Sequence, residues 1–233
     1  MASKVKSLSI NELFYSIQGE GIHAGIPMVF IRLQGCNLAC DWCDTAYART
    51  VCSPNTSNEK LLEEVSSLFP MQAPGERWIC ITGGEPLIQR EALGPFLHEL
   101  KARGYRVEIE TNGSQIKPDW WMAADSWVVD VKCPSSGEKV DIDKLTMWFN
   151  SRPCDQVKFV VGKEEDCIFA EKILTDFYGG LKSFDPTVLI SPVILKSADR
   201  YTLQLATNLC KRLNLRFSLQ IHKVIWDPKE RGV

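Results

Sequence analysis

Short β-type runs alternate with helical patterns along most of the chain, and that alternation constrains the fold more than any other feature. The runs are MVFIRLQG (28–35), WICITGGEP (78–86), YRVEIETNG (105–113), SWVVDVKCPSSG (126–137), QVKFVVG (156–162), TVLISPVIL (187–195) and LRFSLQIHKVIW (215–226). Between them, apolar residues recur at helical spacing in EKLLEEVSSLF (59–69), in residues 89–103 and 142–149, in some 14 residues from Glu164, and from about 198 to 213. Thr56 and Glu59 have the spacing of a capping box, which predicts a helix start there. Gly104, after Lys101 and Arg103, predicts a stop.

Such alternation favours a largely parallel sheet with helices packed outside it. Eight strand–helix steps would close a full barrel of about 250 residues. About six steps in 233 residues predict an α/β fold of the open, partial (β/α)6 barrel type. No linker, low-complexity tract or internal repeat interrupts the series, so residues 1–233 read as one domain. The polar strings at Gly35–Cys36, TGGEP, ETNG, KCPSSG and ISPV all follow the carboxyl ends of strands, the edge where parallel α/β folds gather their ligands.

Charge excludes some functions. With 27 Lys+Arg against 29 Asp+Glu and a pI near 6.0, the chain has no general positive field for phosphate backbones. No apolar stretch approaches the roughly 18 residues of a membrane span, and MASKVKSLSINELF lacks the apolar region of a secretory signal, so a cytoplasmic protein is expected.

Nine cysteines are many for a reduced compartment. Cys52, Cys80, Cys133, Cys154, Cys167 and Cys210 are scattered and read as small buried hydrophobes. Cys36, Cys40 and Cys43, in GCNLACDWCDT, are different: the loop after a strand can converge three sulfurs on one centre. Thiolates suit a soft metal or an iron–sulfur cluster. Structural zinc would need a fourth ligand, and neither His23 nor Cys52 completes a familiar zinc spacing, which favours the cluster over a zinc site. A 4Fe-4S cube held by three cysteines leaves one iron open to a small molecule.

CNLACDWC resembles the CxxxCxxC signature of radical S-adenosylmethionine (SAM) enzymes, and TGGEP (Thr82–Pro86) their glycine-rich SAM-contacting turn. More specifically, FYSIQGEGIHAGIPMVFIRLQGCNLACDWCDT resembles the opening of the 7-carboxy-7-deazaguanine synthases, with ETNG, KCPSSG and the closing SLQIHKVIW and RGV also similar. That resemblance implies ring contraction of 6-carboxy-5,6,7,8-tetrahydropterin to 7-carboxy-7-deazaguanine with loss of ammonia, a step in queuosine precursor synthesis. It implies a 4Fe-4S cluster on Cys36, Cys40 and Cys43, SAM on its open iron, and Mg²⁺ held with Thr45. It places Gly84, Glu85, Cys133, Pro134 and Ser135 at SAM, with Ser191 to Ile194 as a further SAM segment. Ile17, Gln18, Gly19, Glu20, Arg32, Thr82, His222 and the end of the chain at Val233 are placed at the pterin. It implies, too, a homodimer and a reductant protein such as a flavodoxin or ferredoxin. Two other readings differ in kind: a glycyl-radical activase, which shares CxxxCxxC and GGEP, and a zinc-stabilised binding module without catalysis.

Overall fold

The computed structural model describes residues 7–52, 56–71, 75–176, 186–195, 200–227 and 231–233. Eight strands form one sheet in sequential order: β1 (Ile10–Ile17), β2 (Pro27–Leu33), β3 (Trp78–Gly83), β4 (Arg106–Thr111), β5 (Ser126–Val131), β6 (Gln156–Val161), β7 (Thr187–Pro192) and β8 (Arg216–Phe217). The β1–β2 pair is antiparallel and every later pair is parallel. The crossovers carry α1 (Asn58–Leu68), α2 (Arg90–Ala102), α3 (Ile142–Phe149), α4 (Glu164–Asp176) and α5 (Arg200–Leu213); one turn, α6 (His222–Ile225), follows β8. β1 and β8 are not paired, so the barrel stays open, as the number of steps predicts.

Alternation along the strands builds two different faces. Val29, Ile31, Ile79, Ile81, Val107, Ile109, Trp127 and Val129 face α1 and α2 in one apolar cluster, and Val157, Phe159, Val161 and Ile190 join a second with residues of α3, α4 and α5. The intervening positions point into the barrel and are mixed: Arg32, Thr82, Glu108, Glu110, Asp130, Gln156 and Lys158 are polar, whereas Met28, Phe30, Cys80, Val128 and Val160 are apolar. The strands therefore hold an apolar face under helices and a second, mixed face that brings the polar residues to an interior.

Two sequence expectations change, at the start of α1 and in the last run. α1 begins one residue later than the capping box implies, because Ser57, not Thr56, is the N-cap and its hydroxyl accepts from Lys60 N at 3.3 Å; Thr56 instead pairs as an isolated bridge with Leu8. The crossover from β4 to β5 has no α-helix, only a 3₁₀ turn at Trp121–Ala123. The last run is strand only at Arg216–Phe217, and His222 starts α6 rather than ending a strand. Residues 198 and 199 of the expected last long helix lie outside the described residues. No helix among the described residues is long and apolar enough to cross a membrane.

Candidate active site

One cavity of about 690 Å³ opens at the carboxyl ends of the strands. Cys36, Cys40 and Cys43 line one part of it, and Ile17, Gln18, Gly19, Glu20, Arg32, Thr82, Gly84, Thr45, His222 and Val233 line the rest. Residues separated by most of the chain are thus brought to one space.

The cysteine loop leaves β2 and is held at several points. Asp41 N donates to Ser136 O at 3.0 Å, Ala39 N to Glu138 Oε1 at 2.5 Å, and the Arg49 guanidinium to Cys40 O at 2.5 Å. The glycine turn lies directly against its start: Gly84 N donates to Leu33 O at 3.1 Å and Glu85 N to Gly35 O at 2.8 Å. A Cβ on Gly84 would stand 2.1 Å from Gly35 O and 2.9 Å from Cys36 Cβ, so only glycine permits this approach. All three cysteines are free thiols. Burial holds the Cys36 and Cys40 thiols above their ordinary range, and the Lys132 ammonium offsets only part of it. Three unbridged sulfurs beside a buried cation fit the donor set of a site-differentiated iron–sulfur cluster.

Thr45 is the N-cap of the 3₁₀ turn Ala46–Ala48, but its hydroxyl makes no capping bond. Its Oγ1 lies 3.8 Å from Cys43 Sγ at the cavity wall. Asp44 beside it pairs with Lys223 at 2.9 Å. Burial opposes the Asp44 charge, but Lys223 outweighs it and holds the carboxyl low.

Across the cavity, Glu20 accepts from Lys158 Nζ at 2.5 Å and from Gln220 Nε2 at 2.7 Å. Burial alone would push Glu20 up; the Lys158 ammonium, His222 and the two hydrogen bonds outweigh it and hold the carboxyl at about 2. Burial would lower Lys158, but Glu20, Asp130 and Glu110 keep it above its ordinary range. Asp130 also binds Lys132 at 2.8 Å, so charges of alternating sign run from the cysteine loop to Glu20. His222 is pushed below its ordinary range by burial against the pull of Glu20 and Asp44, which favours the neutral imidazole near pH 7. Its ring packs on Gly19, where a Cβ would stand 2.2 Å from Nδ1.

Arg32 also finds a partner inside its apolar strand: Nε donates to Glu12 Oε2 at 3.1 Å. Thr82 Oγ1 donates to Glu110 Oε2 at 2.9 Å. Gln18 reaches the cavity with much of its bonding capacity already engaged. Its Nε2 donates to Glu108 at 2.7 Å and Glu110 at 3.1 Å, its Oε1 accepts from Glu20 N, and its main chain pairs with Ile26 and Gly25. The same amide nitrogen occupies the centre of the Cys80, Glu108 and Glu110 group, a cluster that otherwise has the ligand types of a metal site.

Glu85, Cys133, Pro134 and Ser135 are not among the cavity-lining residues. Glu85 is fully buried and accepts from Leu87 N, Thr111 Oγ1 and Asn112 N at 2.7 to 2.9 Å, which braces the glycine turn. Cys133 is fully buried with Sγ near Val131 O. Val193 and Ile194 do reach the cavity, and Ser191 Oγ is buried with no partner among the described residues. Sequence reasoning missed Glu12, Tyr47, Glu110, Asp130, Lys132 and Lys158, all cavity-lining. The available signal was a charged or polar side chain at every second position of an otherwise apolar strand, as in VEIE, VDVK and QVKF.

Residues 30–126 match the Radical SAM superfamily. The 7-carboxy-7-deazaguanine synthase of Methanospirillum hungatei is 37% identical over 231 residues, covering 97% of this chain and 89% of that protein. The one from Koribacter versatilis is 37% identical over 242 residues, covering 97% of this chain and 100% of its own length. The crystal structure of QueE from Escherichia coli matches with a TM-score of 0.69 at 25% identity, over 95% of this chain and 100% of that chain. Three thiols and a glycine turn at one cavity, together with relatives matched along nearly their whole length, lead to one conclusion: the chain belongs to the 7-carboxy-7-deazaguanine synthase family of radical SAM enzymes.

Proposed function

We propose that the chain acts as one domain to convert 6-carboxy-5,6,7,8-tetrahydropterin into 7-carboxy-7-deazaguanine with loss of ammonia, in queuosine precursor synthesis and with Mg²⁺. The observation that carries this reading is the shared cavity: the cysteine loop and the Arg32, Glu20 and His222 side chains face a single space of about 690 Å³.

Cys36, Cys40 and Cys43 would hold the 4Fe-4S cluster, whose chemistry with SAM is to supply a carbon radical for hydrogen-atom abstraction. Gly84 lets the turn lie flat against the cysteine loop, giving the cofactor access to backbone groups. Glu85 and the segment Cys133, Pro134 and Ser135 support that half of the cavity from behind. The Thr45 hydroxyl, unused as a cap, would give one oxygen to Mg²⁺, with waters and substrate filling its other positions.

A pterin edge presents several donors, and the site presents matching acceptors. Asp130 Oδ1 and Gln220 Oε1 are buried with no protein partner among the described residues, and Glu110, which accepts from Thr82, lines the same cavity. A buried acceptor without a donor is costly, so these atoms favour a ligand that brings N–H groups. Arg32 offers terminal nitrogens to the ligand carboxylate, and neutral His222 can accept a proton or donate a hydrogen bond. Ile17 and Gly19 shape the wall, and the end of the chain at Val233 closes toward the same space. The resemblance further supports a homodimer and a flavodoxin- or ferredoxin-like electron donor. The need for free thiolates suits a reducing cytoplasm.

The test is anaerobic incubation of iron-loaded protein with the carboxytetrahydropterin, SAM, Mg²⁺ and a reductant, followed by mass analysis. Accumulation of the deazaguanine acid supports the proposal; consumption of SAM without that product overturns it.

A further inference from the structure

Arg32 is held in an unusual way for a partly buried arginine. Glu12, its cross-strand neighbour on β1, accepts only from Nε, at 3.1 Å, rather than gripping two nitrogens in a fork. The same Glu12 oxygen accepts from Tyr47 Oη at 2.9 Å, so the carboxylate is restrained from a second direction. Beneath the guanidinium lies Phe14, 5.8 Å from the ring centroid to Cζ, itself stacked on Phe30 at 5.1 Å. Above Tyr47 lies Arg231, its Cζ 3.8 Å from the ring centroid. Among the described residues no protein acceptor meets the terminal nitrogens of Arg32, and Arg32, Glu12 and Tyr47 all border the cavity.

Two-point binding is what a carboxylate does when it is free to choose, because the guanidinium fork matches it. Here Tyr47 takes up one side of the Glu12 oxygen, and Phe14 lies within cation–π reach of the guanidinium. Both terminal nitrogens are thereby left for something else. Burial and the bond to Glu12 push the Tyr47 hydroxyl up to about 12 despite the pull of Arg32, so it is a proton donor at neutral pH. Glu12 and Tyr47 flank the segment 14–45 that carries the family resemblance and lie outside it.

We infer that Glu12 and Tyr47 are positioning residues that determine specificity: they hold Arg32 by Nε alone, so that its terminal nitrogens select a ligand bearing a carboxylate. The inference rests on the proposed carboxypterin substrate and adds to it the residues that set the choice. Without the Tyr47 hydroxyl, Glu12 is free to rotate and grip Arg32 at two nitrogens, becoming an internal competitor for the fork.

The experiment uses iron-loaded protein with SAM bound, and follows the fluorescence of 6-carboxypterin and of unsubstituted pterin on titration. Wild-type protein binds the carboxylated compound more tightly. Tyr47→Phe keeps the ring under Arg231 and lowers the ratio of the two affinities by about tenfold, the scale of one charge-assisted hydrogen bond. Glu12→Gln, which weakens the hold on Nε, lowers the same ratio and serves as an independent variant. A general packing defect would weaken both ligands alike. A wild-type preference that survives in both variants overturns the inference and leaves the substrate proposal standing; equal binding of the two pterins by wild-type protein overturns the substrate proposal itself.

Discussion

Lys158 Nζ lies 2.5 Å from Glu20 Oε2, joining the inward face of β6 to the loop after β1 across 138 residues of sequence. Neither side chain is more than 13% exposed, so the pair is insulated from bulk water. Asp130 and Glu110 also face the same ammonium, which makes Lys158 the cation that lets several carboxylates approach one cavity. The charges organise the site rather than merely decorate it.

Removing that cation leaves buried carboxylates uncompensated. Lys158→Met is expected to destabilise the fold by about 3 to 5 kcal/mol, the range for breaking a buried pair from one side. Glu20→Gln combined with Lys158→Met is expected to recover part of the loss, because one of the stranded charges is gone. Urea unfolding of the two single variants and the double variant measures the coupling; strict additivity would contradict it.

The low value of Glu20 gives the pair a signed pH dependence. A carboxyl at about 2 in the folded chain, against an ordinary value of 4.5, contributes its full stabilisation above pH 4.5 and loses it as pH falls toward 2. Glu20→Gln is therefore expected to flatten the fall in unfolding free energy between pH 4.5 and 2. Denaturant titrations at several pH values in that window check the slope.

The parallel part of the sheet was readable because strands buried on both faces leave long apolar runs such as MVFIRL and QVKFVV. β1 was not, since INELFYSI is half-exposed at an edge and carries polar residues without regular alternation. The cysteines and the glycine turn were legible because their spacing is local. The Arg32–Glu12 and Lys158–Glu20 pairs join distant segments, so Arg32 and Glu20 were reached only through the motif resemblance, and Glu12 and Lys158, which neutralise them, were not reached at all. Glu85 shows a limit of motif reading: its place beside the glycine turn is compatible with a cofactor contact or with bracing the turn, and in the fold its oxygens accept from Leu87 N, Thr111 Oγ1 and Asn112 N.

The nine thiols are expected to separate sharply in iron binding. Cys36→Ala, Cys40→Ala and Cys43→Ala should each abolish the visible absorbance of anaerobically reconstituted protein. Cys52→Ala and Cys133→Ala should retain it, since Cys52 is exposed and Cys133 is buried away from the cavity. Loss of the cluster in Cys133→Ala, with the fold intact by circular dichroism, would contradict the three-cysteine assignment.

Gly84→Ala probes whether the glycine turn and the cysteine loop act as one unit. The added methyl would meet the backbone at Gly35 O, 2.1 Å away, and backbone cannot swing aside as a flexible side chain does. Overpacking of this kind costs about 1 to 3 kcal/mol, and relief requires the turn to withdraw from Cys36. The expected result is a modest fall in melting temperature with a much larger loss of SAM affinity in iron-loaded protein, measured by equilibrium dialysis. Ala48→Gly, at a buried position bonded to the same loop through Gly35 N, should lower stability by removing packing while keeping that backbone contact. If the two variants lose SAM affinity equally at matched stability, the close approach of Gly84 to Cys36 has no special part in holding the cofactor.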